Sequence, residues 1–301
     1  MVVVGGALLI SSLVRSILTG PETTEGVDPT NVQYVNEDYT PPPADLNPPP
    51  LPGPKDDAAA TPLTQDNPLY FEAIPTPTRC AMGQIDMLSE TVPVMEDHLN
   101  ELMGCLMRVW DDPVSSAGFE MPRPTVTVYA DPITTACGTL EEVNAIYCGA
   151  DQRVYYAQPL LRAFPDDVGA TTYAAEMVLA HEFGHAVQAR TAILISELVL
   201  EQNALTEEDA FDASRRLEMQ ADCMAGQFIN SVAISQELDQ DNLARLSDVV
   251  YHLGDDVLND EPGFSADHGT GEARQRWFTA GLESADIGTC NSFTAPASQV
   301  R

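Results

Sequence analysis

Within the 301 residues, one short run has a spacing that permits metal chemistry: His181-Glu182-Phe183-Gly184-His185. On a helix, residues four apart share a face, so His181 and His185 can turn their ring nitrogens onto one Zn²⁺ ion. Glu182 lies about 100° around the same helix, near enough to reach a water at that ion without binding the ion itself. The chain has five histidines, and at that frequency H-E-x-x-H arises by accident in roughly one chain in a hundred. Val178, Leu179, Ala180, Phe183 and Val187 flank the motif. A helix apolar on most sides is buried, and polar groups within it are costly unless they have partners or a task.

A catalytic zinc keeps three protein ligands and one open position. The metzincin extension would place a glycine three residues and a histidine six residues after His185. Gln188 and Thr191 stand there instead, which excludes that class. Downstream, residues 217–225 read LEMQADCMA, with Glu218 and Asp222 four apart on one face of a second helix. Glu218 is the expected third ligand. Asp222 is expected to accept a hydrogen bond from the outer N–H of a ligand histidine and so fix its tautomer. Glu208 and Asp212, earlier on the same helix, are the alternatives to Glu218.

The elements that must hold these groups can be read more coarsely. Residues 92–110 carry apolar side chains at helical spacing, and helical patterning recurs from Gly169 to about Leu194, Thr206 to about Val232, Asp241 to about Leu258, and Gly271 to about Ser284. Pro124–Tyr129 and Arg153–Tyr156 read as strands. Strands cluster before helices, so the expected class is α+β, mostly helical with a small sheet containing antiparallel pairing. Tyr155 and Tyr156 are expected as packing residues, with an edge strand that pairs with an extended substrate as the functional alternative. His98 and His252 also read as packing residues.

Residues 1–20 include an uncharged apolar run, 2–14, that predicts a secretion signal or membrane anchor. From 21 to 68 lie 12 of the 23 prolines and nine acidic residues. The expectation there is a disordered, extended acidic stalk, followed by a folded domain over 69–301. The six cysteines form no C-x-x-C pair and are even in number, which favours disulfides and an oxidising, extracytoplasmic compartment. Cys137 and Cys148 close a short loop and are expected to pair. Cys223 lies about 140° around the helix from Glu218, away from the metal face, and is expected to bond Cys290, leaving Cys80 for Cys105. Against 46 acidic residues stand 14 basic ones, a formal net charge of −32, and such a field repels phosphate backbones, so no nucleic-acid partner is expected.

Several separate blocks resemble one family, the bacterial neutral zinc metallopeptidases. They are Ala136-Cys-Gly138, Tyr147-Cys148, Ala180–His185, Glu218–Cys223, Gly254-Asp-Asp256, His268-Gly269, Arg274–Phe278 and Cys290–Phe293. The resemblance runs from about Asp131 to Phe293 and implies a zincin-like fold, a zinc ion and a peptidase activity. The chain departs from the family pattern at Ala186, where a further histidine is common, and at Ala266-Asp267. Neither position is an expected ligand.

The expected reaction is metal-assisted hydrolysis of peptide bonds in extracytoplasmic peptides or proteins, with one catalytic Zn²⁺ and Glu182 as general base. His268 is the expected oxyanion donor, with capping of the next helix as its alternative role. Arg274 is expected as a support or a substrate-carboxylate contact. A non-catalytic zinc-stabilised scaffold on a membrane stalk is the competing class. It would need the ligands but not the base. A cytosolic zinc hydrolase of non-peptide substrates is a third reading, opposed by the cysteines.

Overall fold

The architecture follows from two long helices that cross where neither carries a side chain of any size. A computed structural model describes residues 28–141 and 143–301. Helix α1 spans Ala60–Gln65, α2 Val92–Ser116, α3 Asp166–Gly169, α4 Ala174–Arg190, α5 Ile193–Gln202, α6 Glu207–Val232, α7 Gln240–Tyr251, α8 Asp255–Leu258 and α9 Gly271–Leu282. Every residue of α4 is buried, as its apolar flanks predict. A Cβ on Gly184 would lie 3.2 Å from the backbone of Ala221, so the glycine lets α4 and α6 approach closely. The contact between α6 and α9 is tighter still: a Cβ on Gly281 would fall 2.0 Å from the Cys223 carbonyl, and one on Gly226 2.2 Å from that of Phe278. These two crossings make α4, α6 and α9 one rigid stack.

Five strands complete the α+β fold: β1 Val126–Tyr129, β2 Ile133–Thr135, β3 Gly138–Leu140, β4 Ala145–Cys148 and β5 Arg153–Ala157. The three-stranded sheet has the order β1-β5-β4, with β1 parallel and β4 antiparallel to β5, while β2 and β3 form a separate hairpin. Strand β5 is therefore central. Tyr155 is buried on it and donates its hydroxyl to Asp151 Oδ2 at 2.6 Å. That corrects the edge-strand alternative for Tyr155, since both backbone edges of β5 are already paired.

All three expected disulfides are present: Cys80–Cys105, Cys137–Cys148 and Cys223–Cys290. They tie the N-terminal segment to α2, the hairpin to β4, and α6 to the C-terminal segment.

The structure corrects the expected stalk. From Asp28 to Pro68 the chain lies against the domain. Asn36 donates to the Arg108 carbonyl, Tyr39 to Asp111, Arg123 to the Pro42 carbonyl and Gln152 to the Pro49 carbonyl, and Ala60 and Thr64 of α1 are fully buried. Composition predicted disorder because the segment has little to bury by itself, but the domain supplies arginine and glutamine donors for its carbonyls. The expected apolar anchor, residues 1–20, lies outside the described residues, as do 21–27. Among the described residues, no helix is long and apolar enough to cross a membrane.

Helix boundaries also differ from the pattern reading. The α4 helix starts five residues later than Gly169 because Tyr173 takes a left-handed φ of 69°, and it is separated from α5 by Ala192 at φ 65°. The predicted helix from Asp241 breaks at His252–Gly254 into α7 and α8. His98 is buried as expected, whereas His252 sits partly exposed at the end of α7 with Nδ1 on the Asp248 carbonyl at 2.8 Å.

Candidate metal centre

Three donor atoms from two helices converge. His181 and His185 of α4 bring their Nε2 atoms to 3.1 Å of each other. From α6, Glu218 places Oε2 at 3.3 Å from His181 Nε2 and Oε1 at 3.4 Å from His185 Nε2. In a tetrahedral site with ligand bonds of about 2.0–2.2 Å, ligand atoms stand roughly 3.3–3.5 Å apart. The observed separations are of that size. Glu208 and Asp212, the alternatives to Glu218, are held elsewhere: Glu208 by Arg215 and Arg301, and Asp212 by Arg216.

The outer nitrogen of each histidine is fixed by its own partner. His181 Nδ1 is 2.9 Å from Asp222 Oδ1 and His185 Nδ1 is 2.8 Å from Gln188 Oε1. Carboxylate and amide oxygens accept, so each Nδ1 carries the proton and each Nε2 turns a lone pair inward. Two lone pairs and a carboxylate facing one another repel unless a cation lies between them. The donor set of two imidazoles and a carboxylate suits Zn²⁺. Without the ion, protons fill the role. Burial opposes charging of His181, but the Asp222 and Glu218 carboxylates outweigh it and raise its pKa to about 10. His185 is also raised, against burial, chiefly by Glu218, and both histidines hold Glu218 well below the ordinary carboxylate range despite its own burial.

Asp222 is in turn clamped by Arg274 of α9, with Nε at 2.9 Å from Oδ2 and Nη2 at 3.0 Å from Oδ1. Arg274 is 3% exposed, and its Nη2 also lies 3.6 Å from Glu218 Oε2. It is a support within the site. Of its two expected roles, the substrate-carboxylate contact finds no room, because the carboxylates of its own chain already take the guanidinium.

The second histidine rests on a chain of amides that the sequence did not reveal. Gln188 Nε2 donates to the Leu217 carbonyl at 2.8 Å and to Gln220 Oε1 at 3.1 Å. Gln220 Nε2 donates to the Tyr70 hydroxyl at 2.9 Å, and Tyr70 donates to the Thr64 carbonyl at 2.7 Å. The one available signal was position: Gln188 stands three residues after His185, on the same helical face. Glu197 of α5 was likewise missed. It is 2% exposed, and burial together with Glu201 and Glu218 raises its pKa to about 8.

Glu182 is 6% exposed and makes no hydrogen bond among the described residues. It follows His181 directly on α4, and its carboxylate remains available to a water molecule. His268 does not join this group. Asp255 Oδ2 accepts the backbone N–H groups of Ala266, His268 and Gly269, which turns the half-exposed imidazole towards Asp267, 3.0 Å away, and Asp255, 3.7 Å away. The structure thus groups His268 with Asp255 and Asp267 and not with the three converging donors. The helix cap at α9 comes instead from Thr270.

A helix bearing H-E-x-x-H, crossed by a second helix that offers a glutamate and an aspartate paired with the buried Arg274 of α9, makes a candidate zinc centre. The chain belongs to the family described as "Putative neutral zinc metallopeptidase", which matches residues 82–293. It is 31% identical over 191 residues to the uncharacterized protein YpfJ of Escherichia coli K12, covering 61% of this chain and 66% of that one. To the uncharacterized protein Rv2575 of Mycobacterium tuberculosis H37Rv it is 28% identical over 191 residues, covering 58% of this chain and 63% of that one. The chain therefore spans just under two thirds of the length of these relatives. No solved structure matches it.

Proposed function

We propose that the protein is a zinc peptidase that hydrolyses peptide bonds outside the cytoplasm, with His181, His185 and Glu218 as ligands of one ion and Glu182 as general base. When bound, zinc supplies a Lewis acid that polarises the scissile carbonyl and makes a water acidic enough to attack it near neutral pH. Asp222 and Gln188 hold the two imidazoles in the tautomer that presents Nε2, and Arg274 holds Asp222 in place through two hydrogen bonds. Glu182 accepts the proton of the attacking water and returns it to the leaving amine. The observation that carries this reading is the contrast between the fully engaged ligand set and the unengaged carboxylate beside it. A scaffold needs no such base.

The three disulfides fit an oxidising compartment, and secretion or anchoring through residues 1–20 is part of the proposal. A digest of a peptide library by the purified protein tests it. Hydrolysis that stops on chelation and returns with zinc is expected. A protein that holds zinc stoichiometrically yet cuts nothing would contradict it.

A further inference from the structure

Eight of the fourteen residues from Pro41 to Pro54 are prolines, and this segment is bound by a set of partners concentrated at one end of α4. Arg190 closes that helix and is 6% exposed, yet no carboxylate among the described residues pairs with it. Its Nη1 donates to the Pro49 carbonyl at 3.0 Å and the Pro50 carbonyl at 3.4 Å, and its Nε to the Glu120 carbonyl at 2.9 Å. Gln152, at the turn between β4 and β5, donates to the same Pro49 carbonyl at 2.8 Å. Farther along, Leu51 packs over Gly149 and Gly53 against Ile195 of α5. Pro48, Tyr147 of β4, Ala186 and Arg190 line one small common cavity.

These contacts have a fixed relation to the base. Ala186 follows Glu182 at i+4 on the same face of α4, and Arg190 at i+8 has turned about 80° from it. Ala186 lies about 6 Å, and Arg190 about 12 Å, along the helix axis from Glu182. The strap therefore crosses α4 one to two turns beyond the base, and its contacts with Gly149 and Gln152 put it beside the end of β4. That strand is the outermost of its sheet on this side. An extended chain advances about 3.3 Å per residue, so two or three residues reach from the base to the strap. Prolines have fixed φ and no N–H, and so make a stiff, pre-extended barrier that loses little entropy on docking.

We propose that the proline strap Pro41–Pro54 is the end wall of the substrate cleft, so that a substrate extends no more than about three residues past the scissile bond on the Arg190 side. The inference rests on the peptidase reading above. It makes the protein a trimmer of chain ends or a cutter of short peptides, with Arg190 and Gln152 as positioning residues that hold the wall.

The only lysine of the 301 residues, Lys55, is exposed at the end of the strap, so endoproteinase Lys-C can nick the chain there. Intact, nicked and Arg190→Ala proteins would be given peptides of 4 to 20 residues, and the cut positions mapped by mass spectrometry. The intact protein is expected to cut within about three residues of one terminus. Nicked or Arg190→Ala protein, at unchanged zinc content, is expected to raise internal cuts in long peptides at least about tenfold relative to short ones. If Arg190→Ala does not fold, the nicked protein decides alone. Internal cuts by the intact protein at the same rate as terminal ones, or an unchanged pattern after release, would overturn the strap while leaving the peptidase intact. No hydrolysis of any peptide by zinc-loaded protein would remove both.

Discussion

Asp222 carries two duties, orienting His181 and neutralising Arg274, and its loss should be felt in both. Asp222→Ala is expected to weaken zinc binding by roughly 10 to 100-fold through the freed imidazole. It should also cost about 3–5 kcal/mol of stability, because Arg274 is left charged and buried. Competition against a zinc chelator and urea denaturation would read the two effects separately. A loss of affinity with no loss of stability would mean that Arg274 finds another partner. Proton linkage gives a second prediction. In the metal-free fold His181 is raised to about 10, above its unfolded value near 6.5. Its proton thus stabilises the metal-free fold below pH 6.5, and that contribution is lost as pH rises through about 10. Zinc must expel this proton, so affinity should climb with pH up to about 10. Calorimetry at pH 8 in buffers of different ionisation enthalpy should show at least about one proton released, whereas an unperturbed histidine would release almost none. At this scale the convergence of His181, His185 and Glu218 was legible, because charge and spacing announce it. Gln188 and Gln220 were not, since neutral amides have no signature before their neighbours are known. The partners of His268 were not legible either, because sequence order does not give the orientation of a loop, which three backbone bonds to Asp255 decide.

Among the elements, the α6–α9 crossing does more for the site than its distance from the metal suggests, because α9 delivers Arg274 to Asp222. Gly281→Ala would push a methyl group into the Cys223 carbonyl. The expected cost is about 1–3 kcal/mol, typical of overpacking, and the displaced α9 should loosen the clamp on Asp222. Thermal melts and zinc titration of the variant would check this, and an unchanged melting temperature would show that the crossing gives way at no cost. The paired helices and the strands flanking the hairpin could be read from periodicity. The separate α5 could not, since Ile193–Leu200 continues the apolar pattern of α4. Its boundary is a left-handed turn at Ala192, a conformation for which a non-glycine residue gives no warning.

Across the whole molecule, ten arginines among the described residues, at 79, 108, 123, 162, 190, 215, 216, 274, 276 and 301, donate to carbonyl or carboxylate groups of the fold. Three of them, Arg190, Arg215 and Arg274, are buried, which leaves the exterior more acidic still. The same bookkeeping explains why the proline-rich segment misled: judged by composition it has nothing to bury, but Arg108, Arg123 and Arg190 supply partners that only the folded domain assembles. The domain, its α+β class and its three disulfides were open to inference because cysteines and long amphipathic helices carry their own constraints. How residues 28–68 lie on that domain depends on contacts far apart in sequence.

The central claim is that His181, His185 and Glu218 hold the ion while Glu182 does the proton chemistry, and Glu182→Gln separates these duties within one side chain. The measurement is zinc stoichiometry and peptide turnover on the same purified sample. The account predicts a zinc content equal to the parent and turnover lower by about 10²-fold or more. Zinc lost from the variant, or turnover retained by it, would contradict the account.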